Sequence, residues 1–483
     1  MNDRSDHDSP DVDNNAANPA PGSGHSIPRP SNRQMQRSCD IYFWHLILQG
    51  RGLPLWIPGP DQNLEIQYQR EGVAIGDFGI ITPSGSFDFL FNICLPHDHP
   101  FNPPELPEDF TPLLLSGRDT RKYSEFEEGS FLSSASVKRS GSGAAGALTF
   151  ESSASEGAIL TMPLGSISED VTVFAKFRKY LAANAERCYR FILGVLEREP
   201  RNGEVLLVTG WDKTRAWGMA TFSKATAQQA PVRLQFLPTE QENAGITYNW
   251  ASSEYAVVRA GPGAREKARI SMADPAQEGA EYDNQCLFIR TMNVNLQGDV
   301  WKKLESEFGL AEADRPSNPF YIPEPRMTRQ GNNHASGPSS QPPSTPAPES
   351  TAMYTVAAYA TEDVQTPILH AYPAQLLKTT RTEPPTKGIN EMLLKLRPNA
   401  RMAITEDNDW ISVLREDDIV FPTAEQLFKR IMGSCDIFED GDAVFLRQKG
   451  SNVPARMSSA RSSANFKPGN SSRYLASSIF IAS

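Results

Sequence analysis

Between residues 204 and 297 the chain breaks into six short apolar runs: EVLLVTG, WGMATF, VRLQFL, ITYNW, YAVVRA and QCLFIRTMNVNL. Runs this short, rich in β-branched and aromatic residues and spaced almost regularly, have the length and period of strands rather than helices. They predict an antiparallel sheet or sandwich. A second β signal lies upstream in GVAIGDFGIITPSGSFDFLFNICLP, where two runs flank the turn Pro83-Ser84-Gly85. Its later run alternates, with Phe87, Phe89, Phe91 and Ile93 on one face and Asp88, Leu90, Asn92 and Cys94 on the other. A lone hairpin is barely stable in water, so this apolar face has to cover another element.

One strong helix is expected over about residues 168 to 197. Ser166 and Glu169 have capping-box spacing, and Phe174, Phe177, Leu181, Cys188, Ile192 and Val195 recur at three- and four-residue steps or their sums. The expected fold class is therefore α+β: a β-rich antiparallel sheet or sandwich over residues 40–305 with one long helix, and a small mixed α/β module over residues 351–449. Within the first unit the Ser/Gly-rich stretch 130–155 reads as a mobile surface loop. Residues 1–38 lack aromatics and cannot offset ordering entropy, which predicts a disordered leader. Residues 306–350 read as a Pro/Ser linker, and residues 450–483 as a disordered basic tail, since no acid follows Asp442. In the C-terminal module, INEMLLKL and the segment after Thr423 read as helices, ARMAIT as a strand and EDNDW as a solvated acidic turn. Leu393, Leu394, Leu427 and Ile431 are expected to gather around Ile404.

A formal net charge of -11 over 483 residues argues against a chain-wide nucleic-acid surface. The five cysteines, Cys39, Cys94, Cys188, Cys286 and Cys435, lie far apart and form no C-x-x-C pair, which fits neither a disulfide framework nor a zinc knuckle. A reducing compartment is expected. No run approaches the roughly 18 apolar residues of a membrane span, and MNDRSDHDSPDVDNN lacks the apolar stretch of a signal peptide, so an intracellular, cytoplasmic protein with no transmembrane segment is expected.

Most catalytic motifs fail on context. Gly141 to Gly146 spells G-x-G-x-x-G inside a Ser-rich loop with no strand before it. Asp77-Phe78-Gly79 spells the kinase metal-binding triplet, but the catalytic loop and Gly-rich loop are missing. His97-Asp98-His99 offers two imidazoles without a nameable third ligand, and Glu406, Asp407 and Asp409 lack the glycine and closing glutamate of a calcium loop. No metal and no cofactor are expected. The remaining candidates for ligand binding are Trp211, Asp212, Lys213 and Trp217, read as an aromatic-and-charged turn in VTGWDKTRAWG, and the hairpin carboxylates Asp77 and Asp88. Aromatic faces beside a lysine can stack a ligand, although such residues more often close the end of a sandwich. Two carboxylates on one hairpin can act as acid and base if they converge.

In order along the chain, GLPLWIPGP, GVAIGDFGIITPSGSFDFLFNICLP, NGEVLLVTGWDKTRAWGMATF, NQCLFIRTMNVNL and MAITEDNDW resemble an expanded family of uncharacterised proteins of mushroom-forming (agaricomycete) fungi. Trp211 stands where that family usually carries Cys, and Gly59 departs from its usual Pro-Glu-Pro. The resemblance implies no activity, cofactor or catalytic residue. With no coherent catalytic constellation, the expected function is a non-enzymatic binding or signalling-type protein whose partner is a protein or a small ligand. The alternatives are a hydrolase-like enzyme working through Asp77 and Asp88, or a weak electrostatic binder of membranes or nucleic acid through the basic tail.

Overall fold

The computed structural model describes residues 38–142, 147–224, 230–241, 245–252, 256–272, 281–310 and 383–450. Its elements in chain order are α1 (Ser38–Leu46), β1 (Leu53–Pro54), α2 (Ile66–Glu71), β2 (Asp77–Ile81), β3 (Phe87–Asn92), β4 (Thr120–Phe126), β5 (Ser130–Ser133), β6 (Lys138–Ser142), β7 (Leu148–Ser152), β8 (Glu156–Met162), β9 (Ser166–Val171) and α3 (Phe174–Gly194). They continue with β10 (Leu206–Thr214), β11 (Trp217–Ser223), β12 (Val232–Gln241), β13 (Gly245–Ser252), β14 (Ala256–Gly261), α4 (Ala264–Met272), β15 (Gln285–Leu296), α5 (Gly298–Glu307), α6 (Pro385–Leu396), β16 (Met402–Glu406), α7 (Asp407–Ile411), α8 (Ala424–Ser434), β17 (Cys435–Asp440) and β18 (Ala443–Gln448). The fold is α+β. The leader, the stretch 311–382 that holds most of the expected linker, and the tail after residue 450 lie outside the described residues.

The long apolar strands β10 and β15 pair antiparallel from Leu206 opposite Asn293 to Thr214 opposite Gln285, with an extra residue at Thr209. Because both outrun their neighbours, different strands flank their two ends. β10 pairs with β2 at Leu206 and Leu207, then with β9 from Gly210 to Lys213. β15 meets β1 at Ile289 and β16 from Met292 to Leu296. The resulting sheet runs β17-β18-β16-β15-β10-β2-β3, with β9 and β4 branching from β10.

Alternation along these strands builds a core on each face. Leu206, Val208 and Ile289 share one cluster with Leu53, Phe87 and Phe89. Leu207, Met292 and Val294 share the other, covered by Phe177, Leu181, Cys188 and Ile192 of α3. The hairpin face read as uniform, from Phe87 to Ile93, is split between these cores. A β-bulge sets Phe78 opposite Phe91 but Gly79 opposite Phe89, so Phe87 and Phe89 go to the first cluster and Phe91 and Ile93 to the second.

Further expectations are corrected. The long helix starts at Phe174, and Ser166–Val171, expected as its capped first turn, is strand β9. Pairing with β10 on one edge and β4 on the other satisfies this backbone, which overrides the local capping pattern. The stretch 130–155 is not one mobile loop: it supplies β5, β6 and β7. Two four-stranded sheets, β14-β11-β8-β5 and β13-β12-β7-β6, enclose a core of Phe150, Ile159, Phe222, Leu234 and Phe236. Polar Thr149 and Glu151 on the alternate positions of β7, within a Ser/Gly-rich surround, had masked that inward pair, Leu148 and Phe150.

Residues 351–449, of which 383–449 are described, were expected to form a module of their own. Instead β16 is hydrogen bonded to β15, and Asn390 of α6 donates to the side-chain oxygens of Asn293 and Asn295 at 3.0 and 3.2 Å. Leu393, Leu394, Leu427 and Ile431 join the cluster of Leu53 and Ile289, whereas Ile404 points to the opposite face. The acidic EDNDW segment is likewise no solvated turn. Glu406 and Asp409 cap α7 reciprocally, and buried Asp407 accepts from the backbone N–H and hydroxyl of Thr291 and from Trp410 Nε1. Burial pushes the Asp407 carboxyl up to about 6. Among the described residues no helix is long and apolar enough to cross a membrane.

Candidate functional site

Strand alternation divides the VTGWDKT segment between two environments. It is no turn: Trp211, Asp212 and Lys213 lie inside β10, and all are buried. Asp212 points to one face, where it accepts from Arg51 Nε and Nη2 at 2.9 and 3.0 Å, from Arg290 Nη1 at 2.8 Å and from Ser168 Oγ at 2.5 Å. Arg290 also binds Asp170, Arg51 binds Glu125 at 2.7 Å, and Tyr123 donates to Asp170. Burial acts to raise the Asp212 carboxyl, but the guanidinium groups of Arg290 and Arg51 outweigh it and hold it below the usual range. With four donors already on its oxygens, Asp212 is a structural hub rather than a ligand contact. Gly210 permits this arrangement, because a Cβ there would run into the Asp170 carboxylate and the Arg290 guanidinium.

Trp211 and Lys213 face the other way. Cross-strand register sets Lys122 of β4 beside Glu169 of β9, and Glu169 beside Trp211. These residues floor a cleft of about 400 Å³, walled by Arg70 and Glu71 at the end of α2 and by Ala74, Ile75, Leu115 and Asp283. Lys213 is 4% exposed, donates from Nζ to the Glu71 carbonyl at 2.6 Å and stands 4.1 Å from the Trp211 ring centroid. Lys122 Nζ lies 5.5 Å from the same ring. Arg70 is 7% exposed, donates from Nη2 to the Ile270 carbonyl, and its Nε has no hydrogen-bond partner. Among the described residues neither Lys213 nor Arg70 has a carboxylate within 4.0 Å, whereas Asp283 at the rim is engaged by Arg215. Burial is the largest cause holding the Lys213 amine below its ordinary value; Cys286, Asp77 and Glu169 pull the other way, and the charge on Lys122 acts with burial.

The other candidates do not enter this cleft. Trp217 belongs to β11, donates from Nε1 to Gln285 at 2.9 Å and packs with Tyr42, Met219 and Phe288. Asp77 is buried and accepts from Tyr68 Oη, Ala74 N and Asn92 Nδ2 at 2.7–2.9 Å, and burial pushes it up to about 7. Asp88 pairs instead with Arg198 at 3.5 Å. Asp77 lies opposite Asn92 and Asp88 opposite Ile80, a stagger of three residues or about 10 Å along the strand, so the two carboxylates do not converge. His99 Nδ1 accepts from the Phe101 backbone, and no group of three His, Cys, Asp or Glu among the described residues is arranged to hold a metal.

Sequence reasoning found Trp211 and Lys213 but missed Arg70, Lys122 and Glu169. The register of β4, β9 and β10 unites these strands, and it is invisible before the sheet is known. Compared with known proteins, the sequence matches no family model and no curated relative.

Proposed function

We propose that the protein is a non-enzymatic, intracellular binding protein that holds a small organic anion in the cleft over Trp211. The observation that carries this reading is a pair of buried cations, Arg70 and Lys213, that line one cleft without a carboxylate within 4.0 Å among the described residues. A buried charge lacking a counter-ion is costly, and a ligand carboxylate or phosphate entering the cleft supplies one. Trp211, Ile75 and Leu115 offer apolar surface to the rest of a small ligand, the usual division of labour in such sites. The cysteines form no disulfide, in keeping with a reducing compartment. The resemblance to fungal proteins adds no activity to this reading, and the separation of Asp77 from Asp88 weighs against the hydrolase alternative.

Calorimetric titration with succinate and with inorganic phosphate tests it. Binding by at least one probe is expected, and Lys213→Met should weaken it by about ten- to a hundredfold, the loss of one charged hydrogen bond of roughly 1.5–3 kcal/mol. Absence of binding by both probes, or equal affinity in the variant, would overturn the reading.

A further inference from the structure

We propose that Lys213 is a carbonyl-reactive amine that captures a small 2-oxo acid in this cleft as a reversible imine. This inference rests on the anion-binding reading and adds the substrate class and the covalent step. Three geometric features converge on it. Lys213 Nζ is withdrawn from water and makes no ion pair among the described residues, so burial weighs against its ammonium form more than the longer-range charges of Asp77 and Glu169 favour it. Its single hydrogen bond, to the Glu71 carbonyl at 2.6 Å, uses one N–H. A neutral amine bound in this way keeps its lone pair for an electrophile in the cleft that Lys213 lines. A second lysine, Lys122, stands over the same Trp211 ring, and a desolvated amine beside another cation is the arrangement that activates lysine as a nucleophile.

The step balances without a redox partner. The Nζ lone pair attacks the carbonyl carbon to give a carbinolamine. The carbonyl oxygen then leaves as water with the two amine hydrogens, and the C=N bond forms. Uptake of one proton gives an iminium whose new N–H restores the bond to the Glu71 oxygen. Arg70 and Lys122, lining the same cleft, supply positive charge for the carboxylate of the oxo acid. A 2-oxo acid is favoured over a simple aldehyde because it brings both the electrophilic carbonyl that Lys213 needs and the anion that Arg70 lacks. Hydrolysis reverses the bond, so the protein captures its ligand without turning it over.

Reductive trapping on the full-length wild-type chain decides the matter. The protein is incubated with pyruvate and cyanoborohydride at neutral pH, digested and mapped by mass spectrometry. The expected result is a reduced adduct concentrated on Lys213 over the exposed lysines, and suppressed by excess succinate. No adduct at Lys213, or labelling spread evenly over surface lysines, would overturn the proposal. If succinate or phosphate binds by calorimetry while pyruvate is not trapped at Lys213, the imine falls and the anion-binding reading stands. If neither probe binds and nothing is trapped, both fall.

Discussion

Asp212→Asn is expected to lower the stability of the folded chain by about 3–5 kcal/mol, the cost of breaking a buried ion pair by removing one partner. The substitution keeps the shape of the side chain and removes its charge. Arg51 and Arg290 are then left with one counter-ion fewer, in a site where Asp212 itself has no solvent exposure. Burial disfavours the Arg290 charge, yet Asp212 and Asp170 hold it firmly protonated, so the guanidinium cannot escape the loss by deprotonating. The network joins β10 to β15, β9, β4 and the segment before β1, so its failure loosens the strands that floor the cleft. Urea unfolding followed by circular dichroism measures the change. A loss under about 1 kcal/mol, the level of an exposed pair, would show that water screens the network.

Much of the architecture is legible in the chain because the strand signal depends on local alternation. The runs from EVLLVTG to QCLFIRTMNVNL all became strands, and the periodic stretch from Phe177 to Ile192 became the one long helix. Failures occurred where a long-range pairing outweighed a local pattern. Ser166 and Glu169 have the letters of a helix cap, but β4 and β10 bind that backbone from both sides. The Leu90 region reads as simple alternation, and one bulge redirects its phenylalanines to two cores. At the site, Trp211 and Lys213 were visible as a cluster, whereas the sign of their neighbours was not. Arg70, Lys122 and Arg290 lie far away in sequence: Lys122 and Arg290 reach β10 through strand pairing, and Arg70 is carried to the cleft by α2. Asp212 sits between two cleft residues and faces the other way, since neighbouring strand positions take opposite sides.

The second large effect is expected at Trp410. Its side chain has no solvent exposure, donates from Nε1 to Asp407 at 2.8 Å and meets the Phe421 ring edge-on. Trp410→Ala should cost about 3–5 kcal/mol, the range for deleting a buried aromatic side chain. The loss should appear in the melting of the whole chain, because Trp410 shares a core with Leu53, Leu206 and Ile289 and because β16 continues the central sheet. Differential scanning calorimetry distinguishes the possibilities. A single transition moved to lower temperature is expected; a small early transition with the main one unchanged would show that residues 385–448 melt separately.

The central functional claim is that Lys213 is a buried cation site awaiting an anion, and its titration tests this most directly. In protein labelled with ¹³C at lysine Cε, the Lys213 resonance, assigned by comparison with Lys213→Met, is followed against pH by NMR with and without inorganic phosphate. Without phosphate it should titrate below the ordinary lysine range, since burial disfavours the charged amine. With phosphate in the cleft it should move upward, because a nearby negative charge favours protonation. A Lys213 that titrates together with the surface lysines and does not respond to phosphate would contradict the account.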